Sequence, residues 1–179
     1  MRRLFYYFIP VVLSWLNSVS PIILRRFIYL AGRFDICDSS FIASNIKFLG
    51  FGNLSVGYNT VINPHVILDN RVGLKVGNNV SISRGCRLWS LGHDPYDGAF
   101  RSVGACVTIE DYCVLFPDCS VMPGVDIREG CVVLNGSIVT KSTERWSIYA
   151  GVPAVKVGTR CLSDVDMDLP PVVKSFWIR

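Results

Sequence analysis

The sequence predicts an all-β fold, a parallel β-helix whose coils have three sides. Aliphatic residues recur every six positions along most of the chain, and small or β-branched residues recur four positions after them. This period matches neither the repeat of an amphipathic helix nor the two-residue alternation of a half-buried strand. A triangular coil accounts for it, because three short strands with their turns complete a coil of about 18 residues. The spacing alone leaves the handedness open, and a sandwich of short strands is the competing fold.

The repeat is clearest beyond the middle of the chain. Seven aliphatic positions follow one another there at intervals of six residues: Val103, Ile109, Leu115, Val121, Ile127, Val133 and Val139. Between Ile36 and Leu88 the same period holds with two shifts of two residues, so we expect about six coils in all. Gly57, Gly77 and Gly104 directly follow aliphatic positions, which predicts turns with unusual backbone dihedral angles.

The cysteines and histidines argue against disulfide and metal sites. None of the seven cysteines forms a C-x-x-C pair. Four of them fall in the small-residue class of the repeat: Cys86, Cys113, Cys119 and Cys131. A buried free cysteine behaves as a small hydrophobe, so we expect these side chains in the core of a cytoplasmic protein. The two histidines, His65 and His93, are too few for a three-histidine zinc site.

Residues 1–34 do not follow the repeat. An apolar run from Leu4 to Leu16 contains Pro10 and is shorter than the ~20 residues that a spanning helix needs. A second apolar segment, Ile22 to Leu30, carries two arginines. We expect two short helices that either cap the core or lie on a membrane surface. The predicted division is an N-terminal segment (1–34), a β-helix (35–145) with a loop at 94–102, and a C-terminal extension (146–179).

The charge pattern gives little support to nucleic-acid binding. The net charge is +4, and no run of Lys or Arg is longer than two residues. Proteins that bind nucleic acids through electrostatics usually concentrate basic residues in a patch or stripe. A mild positive charge is instead compatible with an anionic ligand or an acidic membrane face.

His93 is the candidate catalytic residue. It ends a coil, and the segment Asp94 to Ser102 after it lacks the repeat and contains Pro95 and Gly98, which predicts a projecting loop. A histidine beside such a loop is placed to meet a substrate, and imidazole is suited to act as a general base near neutral pH. The acceptor that would orient its ring stays open among Asp94, Asp35 and Asp38.

Four segments carry a family resemblance: Gly92-His-Asp94, Val121-Met-Pro-Gly-Val125, Asn135-Gly-Ser-Ile-Val-Thr-Lys141 and Ala150-Gly-Val-Pro-Ala154. With the repeat, they resemble the hexapeptide-repeat acyltransferases, especially the sugar and polysaccharide O-acetyltransferases that include galactoside and maltose acetyltransferases. The resemblance implies a left-handed coil, a homotrimer with sites between subunits, and acetyl-CoA as co-substrate. It also implies that His93 activates a hydroxyl for direct attack on the thioester.

The same resemblance assigns further site residues. It implies that Asn63, Asp69 and Asp94 contact a saccharide acceptor, although corner residues of these types also serve in turns. It places eight residues near the coenzyme: Gly136, Ser137, Thr140, Lys141, Ala150, Gly151, Lys156 and Arg160. Lys156 and Arg160 would meet the adenosine phosphates, with an exposed basic tail as the alternative. His65 is expected to occupy a corner of the coil.

The chain departs from the family pattern at Phe116-Pro117, where relatives have glycine and a small residue. Proline has no N–H, so an amide at position 117 cannot stabilise an oxyanion. The departure keeps two alternatives open: a non-catalytic β-helix scaffold subunit, and transfer to another acceptor such as serine, an antibiotic or an amino sugar. The arginine-flanked apolar N-terminus favours a cell-surface polysaccharide or its lipid-linked precursor at the cytoplasmic membrane face.

Overall fold

A computed structural model of the chain describes residues 2–20 and 24–161. It confirms the predicted architecture, a left-handed parallel β-helix of about six coils preceded by two helices. The helices are α1 (Arg2–Val19) and α2 (Arg25–Ala31). In chain order, the strands of the first three coils and of the hairpin after them are β1 (Asp35–Ile36), β2 (Phe41–Ile42), β3 (Lys47–Phe48), β4 (Leu54–Val56), β5 (Val61–Ile62), β6 (Ile67–Leu68), β7 (Leu74–Val76), β8 (Ser81–Ile82), β9 (Arg87–Leu88), β10 (Leu91–His93) and β11 (Ser102–Gly104). The remaining strands are β12 (Val107–Ile109), β13 (Val114–Leu115), β14 (Ser120–Val121), β15 (Asp126–Ile127), β16 (Val132–Val133), β17 (Ile138–Val139), β18 (Ser147–Gly151) and β19 (Ala154–Thr159).

Three sheets form the faces of the prism. Face A has the order β1-β4-β7-β12-β15, face B the order β2-β5-β8-β13-β16-β18-β19, and face C the order β3-β6-β9-β14-β17. Pairing is parallel except between β18 and β19, which form an antiparallel hairpin. Since β18 continues face B, the parallel stack extends past residue 145, where we had placed its end. We name the corners AB, BC and CA after the faces that they join.

The core is a column of inward-pointing aliphatic side chains, as the six-residue period predicts. All but two of the predicted aliphatic positions are buried. Ile36 is half-buried in the first coil, and Val103 is 57% exposed. The inward assignment of Val103 was wrong, because it lies in β11 of the projecting hairpin rather than in a coil. The four cysteines of the small-residue class are buried and free, as expected.

The corners use two different devices to turn the chain. At BC, residues with positive φ stack in one column, coil after coil: Asn45, His65, Gly85, Asp118 and Gly136. Gly57, Gly77 and Gly104 do not have positive φ, so their predicted role was wrong. They allow close approach instead, since a Cβ on Gly77 would lie 2.2 Å from Asp111 Oδ1 and one on Gly104 2.5 Å from Ser90 O.

The helices cover the first coil. Leu13 and Asn17 of α1 are buried, and Asn17 Nδ2 donates to Ala43 O at 3.0 Å. Ser14 Oγ accepts the N–H of Phe48 at 2.9 Å and donates its own proton to the carbonyl of Pro10 within α1 at 2.7 Å. Arg25 donates to the carbonyl of Ile42 at 3.1 Å. Side chains of α1 and α2 therefore satisfy backbone groups that would otherwise form an open edge of the prism.

Replacing Gly77 with alanine should destabilise the protein by about 1–3 kcal/mol, because the new methyl group overpacks the contact between two coils. Urea unfolding measures the change. Gly98→Ala is the matched control, since a Cβ there meets no atom within 4 Å. Its effect should stay within about 0.5 kcal/mol. Equal effects at the two positions would contradict this explanation of Gly77.

Candidate active site

His93 lies at the tip of the strand that leaves the prism at the CA corner. It ends β10, which pairs antiparallel with β11. Its side chain is exposed, and its ring stacks on Phe100 with centroids 4.5 Å apart and an interplanar angle of 6°. Within the described part of the chain, the imidazole nitrogens form no hydrogen bond. Both nitrogens are therefore open to a ligand or to another chain.

Asp69 and Arg71 hold the beginning of β10 in place. Asp69 is fully buried, and its Oδ2 accepts the N–H groups of Ser90 and Leu91 at 3.2 Å each. Arg71 pairs with both carboxylate oxygens at 2.7 and 2.8 Å. The same guanidinium donates to Leu91 O at 3.4 Å. The pair thus fixes both backbone groups of the residue two positions before His93.

Electrostatics favour the charged form of Asp69. Burial alone would raise the pKa of this carboxyl, but hydrogen bonds from Arg71 and its positive charge outweigh burial and lower the pKa below its ordinary value. Since both oxygens are used by protein groups, the geometry suits Asp69 better to positioning β10 than to direct contact with an acceptor.

The other carboxylates near the predicted base also have local partners. Asp94 Oδ1 accepts the N–H of Tyr96 at 2.9 Å and stabilises the turn after β10. Asp38 forms an ion pair with Arg26 beside α2. Among the described residues, Asp94, Asp35 and Asp38 make no hydrogen bond to His93. In the described structure, therefore, none of these three carboxylates orients the ring of His93.

Asn63 lies at a different corner. It follows β5 at the BC corner, and its Nδ2 donates to Ile82 O at 3.0 Å. It lines a cleft of ≈ 390 Å³ together with Pro64, His65, Ser83, Arg84 and Pro117. A neighbouring cleft shares His65 and Arg84 and adds further basic and acidic side chains: Lys47, Arg87 and Asp118. The three exposed cations outnumber the one carboxylate, so the combined surface is positively charged.

The predicted coenzyme residues divide between corners. Gly136, Ala150 and Gly151 lie at the BC corner of the C-terminal coils. A Cβ added to Gly136 would meet no atom within 4 Å. Ser137 is buried there, and its Oγ donates to Leu134 O at 2.6 Å and accepts from Gly151 N at 3.1 Å. Ser137 therefore joins two coils beneath the surface that Gly136 and Gly151 present.

The remaining residues of that set lie elsewhere. Thr140 and Lys141 are exposed at the CA corner, just after β17. Lys156 pairs with Glu144 at 2.7 Å. Arg160 lies at the AB corner, where its guanidinium donates to the carbonyls of Tyr112 at 2.8 Å and Gly130 at 3.0 Å. These contacts give Arg160 a structural role at the third corner and do not bring it to the other coenzyme residues.

Sequence reasoning missed several residues that shape these corners. Arg71 carried no signal, because its contacts to Leu91 form between stacked coils 20 residues apart. Phe100 lies in a loop without a repeat, so its stacking on His93 was not foreseeable. Phe116 and Leu134 are exposed apolar residues at BC, above the cleft. The described residues contain no group of three His, Cys, Asp or Glu side chains that could hold a metal ion.

The sequence and the fold of this chain resemble those of known proteins. No family model matches the sequence. A candidate acetyltransferase of Saccharomyces cerevisiae is 28% identical over 122 residues, which cover 65% of this chain and 62% of the yeast protein. The chain thus spans less than two thirds of the length of that relative.

Solved structures decide the fold. A hexapeptide-repeat acetyltransferase of Vibrio cholerae in complex with acetyl-CoA superposes with a TM-score of 0.79 at 19% identity, covering 86% of both chains. A maltose O-acetyltransferase of Clostridium difficile gives 0.77 at 22% identity over 85% of this chain and 84% of that one. A galactoside acetyltransferase with coenzyme A gives 0.77 at 21% over 85% and 79%. The chain has the fold of the hexapeptide-repeat acetyltransferases.

Replacing Asp69 with asparagine should lower the free energy of unfolding by about 1–3 kcal/mol, because an amide donor would face Arg71 and buried amides would lose their acceptor. Hydrogen exchange should accelerate at residues 90–93, because Asp69 and Arg71 hold the beginning of this segment in place. Because the pKa is lowered in the folded state, the stabilisation is fully present above the ordinary value of 3.8 and is lost in more acidic solution. Wild-type and variant stabilities should therefore converge there.

Asp97→Asn is the matched control for this experiment. Asp97 also pairs with an arginine, Arg101, but the arginine is 80% exposed, and such pairs contribute about 0–1 kcal/mol. If Asp69→Asn behaves like Asp97→Asn in both stability and hydrogen exchange, the pair of Asp69 and Arg71 does not hold β10 in place.

Proposed function

We propose that this protein transfers the acetyl group of acetyl-CoA to a hydroxyl of a sugar, with His93 as the general base. The observation that carries the proposal is an exposed imidazole without hydrogen bonds, at the end of a strand whose beginning is clamped by Asp69 and Arg71. Proteins with this fold include a hexapeptide-repeat acetyltransferase in complex with acetyl-CoA, a galactoside acetyltransferase in complex with coenzyme A, and a maltose O-acetyltransferase.

The reaction needs one base and a positioned thioester. The neutral imidazole of His93 takes the proton from the acceptor hydroxyl as its oxygen attacks the carbonyl carbon of the thioester. The tetrahedral species collapses by breaking the carbon–sulfur bond, and the imidazolium returns its proton to the leaving thiolate. The products are the acetylated sugar and free coenzyme A. A positioned base of this kind contributes about 10²–10⁴ in rate.

The active site requires more than one copy of the chain. Asn63 and the coenzyme residues Gly136, Ala150 and Gly151 lie at BC, whereas His93 lies beyond face C at CA. About six extended residues separate the two corners, a distance of up to roughly 20 Å, which no hydrogen bond spans. A homotrimer in which the CA hairpin of one subunit faces the BC corner of the next brings the two sets together.

The coenzyme and the acceptor would approach the BC corner from opposite ends. The exposed apolar residues Phe116 and Leu134 suit the pantetheine arm, and Lys156 at the C-terminal end suits a phosphate. Thr140 and Lys141 would contribute from the CA corner of the adjoining subunit. The cleft at Asn63 lies on the N-terminal side and would receive the saccharide. Its positive surface favours an acidic polysaccharide or a phosphate-linked precursor.

A backbone N–H at position 117 cannot stabilise the oxyanion in this protein, so another donor is required. Pro117 lines the cleft but has no N–H to donate. Ser83 and Arg84 line the same cleft and carry side-chain donors. We assign the oxyanion to one of these two groups, since preorganised donors at the reacting carbonyl are the usual source of such stabilisation.

His93→Ala should lower the rate of acetyl transfer by about 10²–10⁴ without lowering stability, because the ring is exposed. Release of free coenzyme A thiol from acetyl-CoA measures the reaction with a panel of neutral and acidic saccharides. His65→Asn tests the second histidine: asparagine tolerates the positive φ of 64° at this corner, and because His65 lines the saccharide cleft, the KM for the acceptor should rise while kcat stays near the wild-type value. The reverse result would make His65 the base.

A non-catalytic scaffold subunit is the second candidate, favoured by Pro117. Failure of the wild-type protein to release thiol with any acceptor in the panel, and to bind acetyl-CoA in calorimetry, would support that function and contradict ours. Binding without transfer to any saccharide would instead direct the search to serine, amino sugars or antibiotics as acceptors.

Mixing two inactive variants should restore activity. His93→Ala removes the base from CA, and Asn63→Trp fills the cleft at BC. If each site takes its base from one subunit and its cleft from the next, co-refolded mixtures should regain about a quarter of the wild-type rate. Mixing without refolding serves as the control. Recovery that stays at the level of the separate variants would show that both residues act within one subunit or that the chain does not form the proposed trimer.

A further inference from the structure

The helix that covers the first coil exposes an apolar side to solvent. Its inner side is buried on the prism through Pro10, Leu13 and Asn17. The opposite side carries four exposed apolar side chains, spaced at helical intervals and between 59% and 67% exposed: Phe8, Val11, Trp15 and Val19. A helix packed on a soluble protein normally presents charged or polar residues on its outer side. Here the sequence has no charged residue between Arg3 and Arg25.

The second helix adds to this surface. Ile28 of α2 is buried, whereas Leu24, Phe27 and Leu30 are exposed. Seven exposed apolar residues within the N-terminal cap are more than the single surface hydrophobes that need no explanation. We define the outer apolar surface of α1 and α2 by these seven residues: Phe8, Val11, Trp15, Val19, Leu24, Phe27 and Leu30.

The segment that carries the outer apolar surface has a positive net charge. Residues 1–34 contain five arginines and no acidic residue, and Asp35 and Asp38 are the first carboxylates to follow. Arg33 is exposed and stacks over Phe51 at 5.6 Å, and Arg26 pairs with Asp38. No helix among the described residues is long and apolar enough to cross a membrane. Apolar and aromatic residues flanked by arginine are typical of helices that lie in the interface of an acidic membrane.

We propose that the outer apolar surface of α1 and α2 binds the surface of a membrane containing acidic lipids. Phe8, Trp15 and Phe27 would enter the boundary between headgroups and acyl chains, where aromatic side chains are favourable. Arg26 and Arg33, which are exposed, would contact anionic headgroups. Charge distinguishes this occupant from a second copy of the chain, because two such caps face to face would bring like charges together.

This proposal is independent of the catalytic one but gives it a location. With the cap on the membrane, the axis of the prism points away from the bilayer, and the cleft at Asn63 in the second coil lies near the lipid surface. A saccharide attached to a membrane lipid would reach that cleft more readily than the later coils.

Co-sedimentation with vesicles tests the proposal on the full chain. Wild-type protein should bind vesicles of phosphatidylcholine with phosphatidylglycerol, bind phosphatidylcholine alone much more weakly, and lose binding as salt is raised. Phe8→Ser and Trp15→Ser should each weaken binding at least about tenfold, since each removes an aromatic side chain from the interface. Tyr58→Ser, at an exposed position of the AB corner, is the matched control and should bind like wild type.

Sedimentation velocity of the same variants distinguishes a membrane from a second copy of the chain as the partner of the outer apolar surface. The oligomeric state should be unchanged by Phe8→Ser and Trp15→Ser if a membrane covers these residues. A wild-type protein that ignores acidic vesicles, or variants that bind them as well as wild type, would overturn the proposal. Variants that dissociate into smaller species and leave vesicle binding unchanged would assign the surface to contact between copies of the chain. None of these outcomes depends on acetyl transfer.

Discussion

Parallel stacking of one coil on the next is the constraint on which this structure depends. Each strand in the parallel stack of a face hydrogen-bonds to its counterpart 16, 18, 20 or, across the hairpin, 33 residues along the chain. Side chains then bond along the same axis: Thr60 Oγ1 accepts from Val80 N and donates to Gly77 O, and Glu110 receives Arg128 from the coil above. Because neighbours in space are fixed by this offset, function follows from which residues share a corner.

That constraint explains both the success and the failures of sequence reasoning. The core could be predicted because an inward position repeats locally, every six residues, and requires only an aliphatic side chain. Contacts between coils could not, because they depend on insertions that change the offset. Arg71 meets Leu91 only because the coil between them has 20 residues, and Arg160 reaches the AB corner only because β19 turns back along β18. The predictions for Asp69 and Arg160 rest on local motifs, which carry no information on contacts between coils.

The corners also divide the chemical tasks. CA carries His93, the proposed base, on a strand anchored by the buried Asp69 and the exposed Arg71, while BC offers a positively charged cleft below the exposed Phe116 and Leu134. In the proposed reaction, neither corner is sufficient on its own. The buried charge of Asp69 is costly unless its hydrogen bonds are made, and here the carboxylate has both oxygens occupied. Such a group orients backbone well because it has no alternative partner.

The two ends of the prism determine what the stack can add to itself. At one end the antiparallel strand β19 covers the edge of β18, and at the other Ser14, Asn17 and Arg25 occupy backbone groups of the first coil. An unprotected rung of parallel strands is a template on which further strands, from this or another chain, can assemble into fibrils. β19 and the side chains of the two helices therefore hinder the addition of further strands at the ends of the prism. They limit the solenoid to its own length and keep a strand-rich molecule from polymerising along its axis.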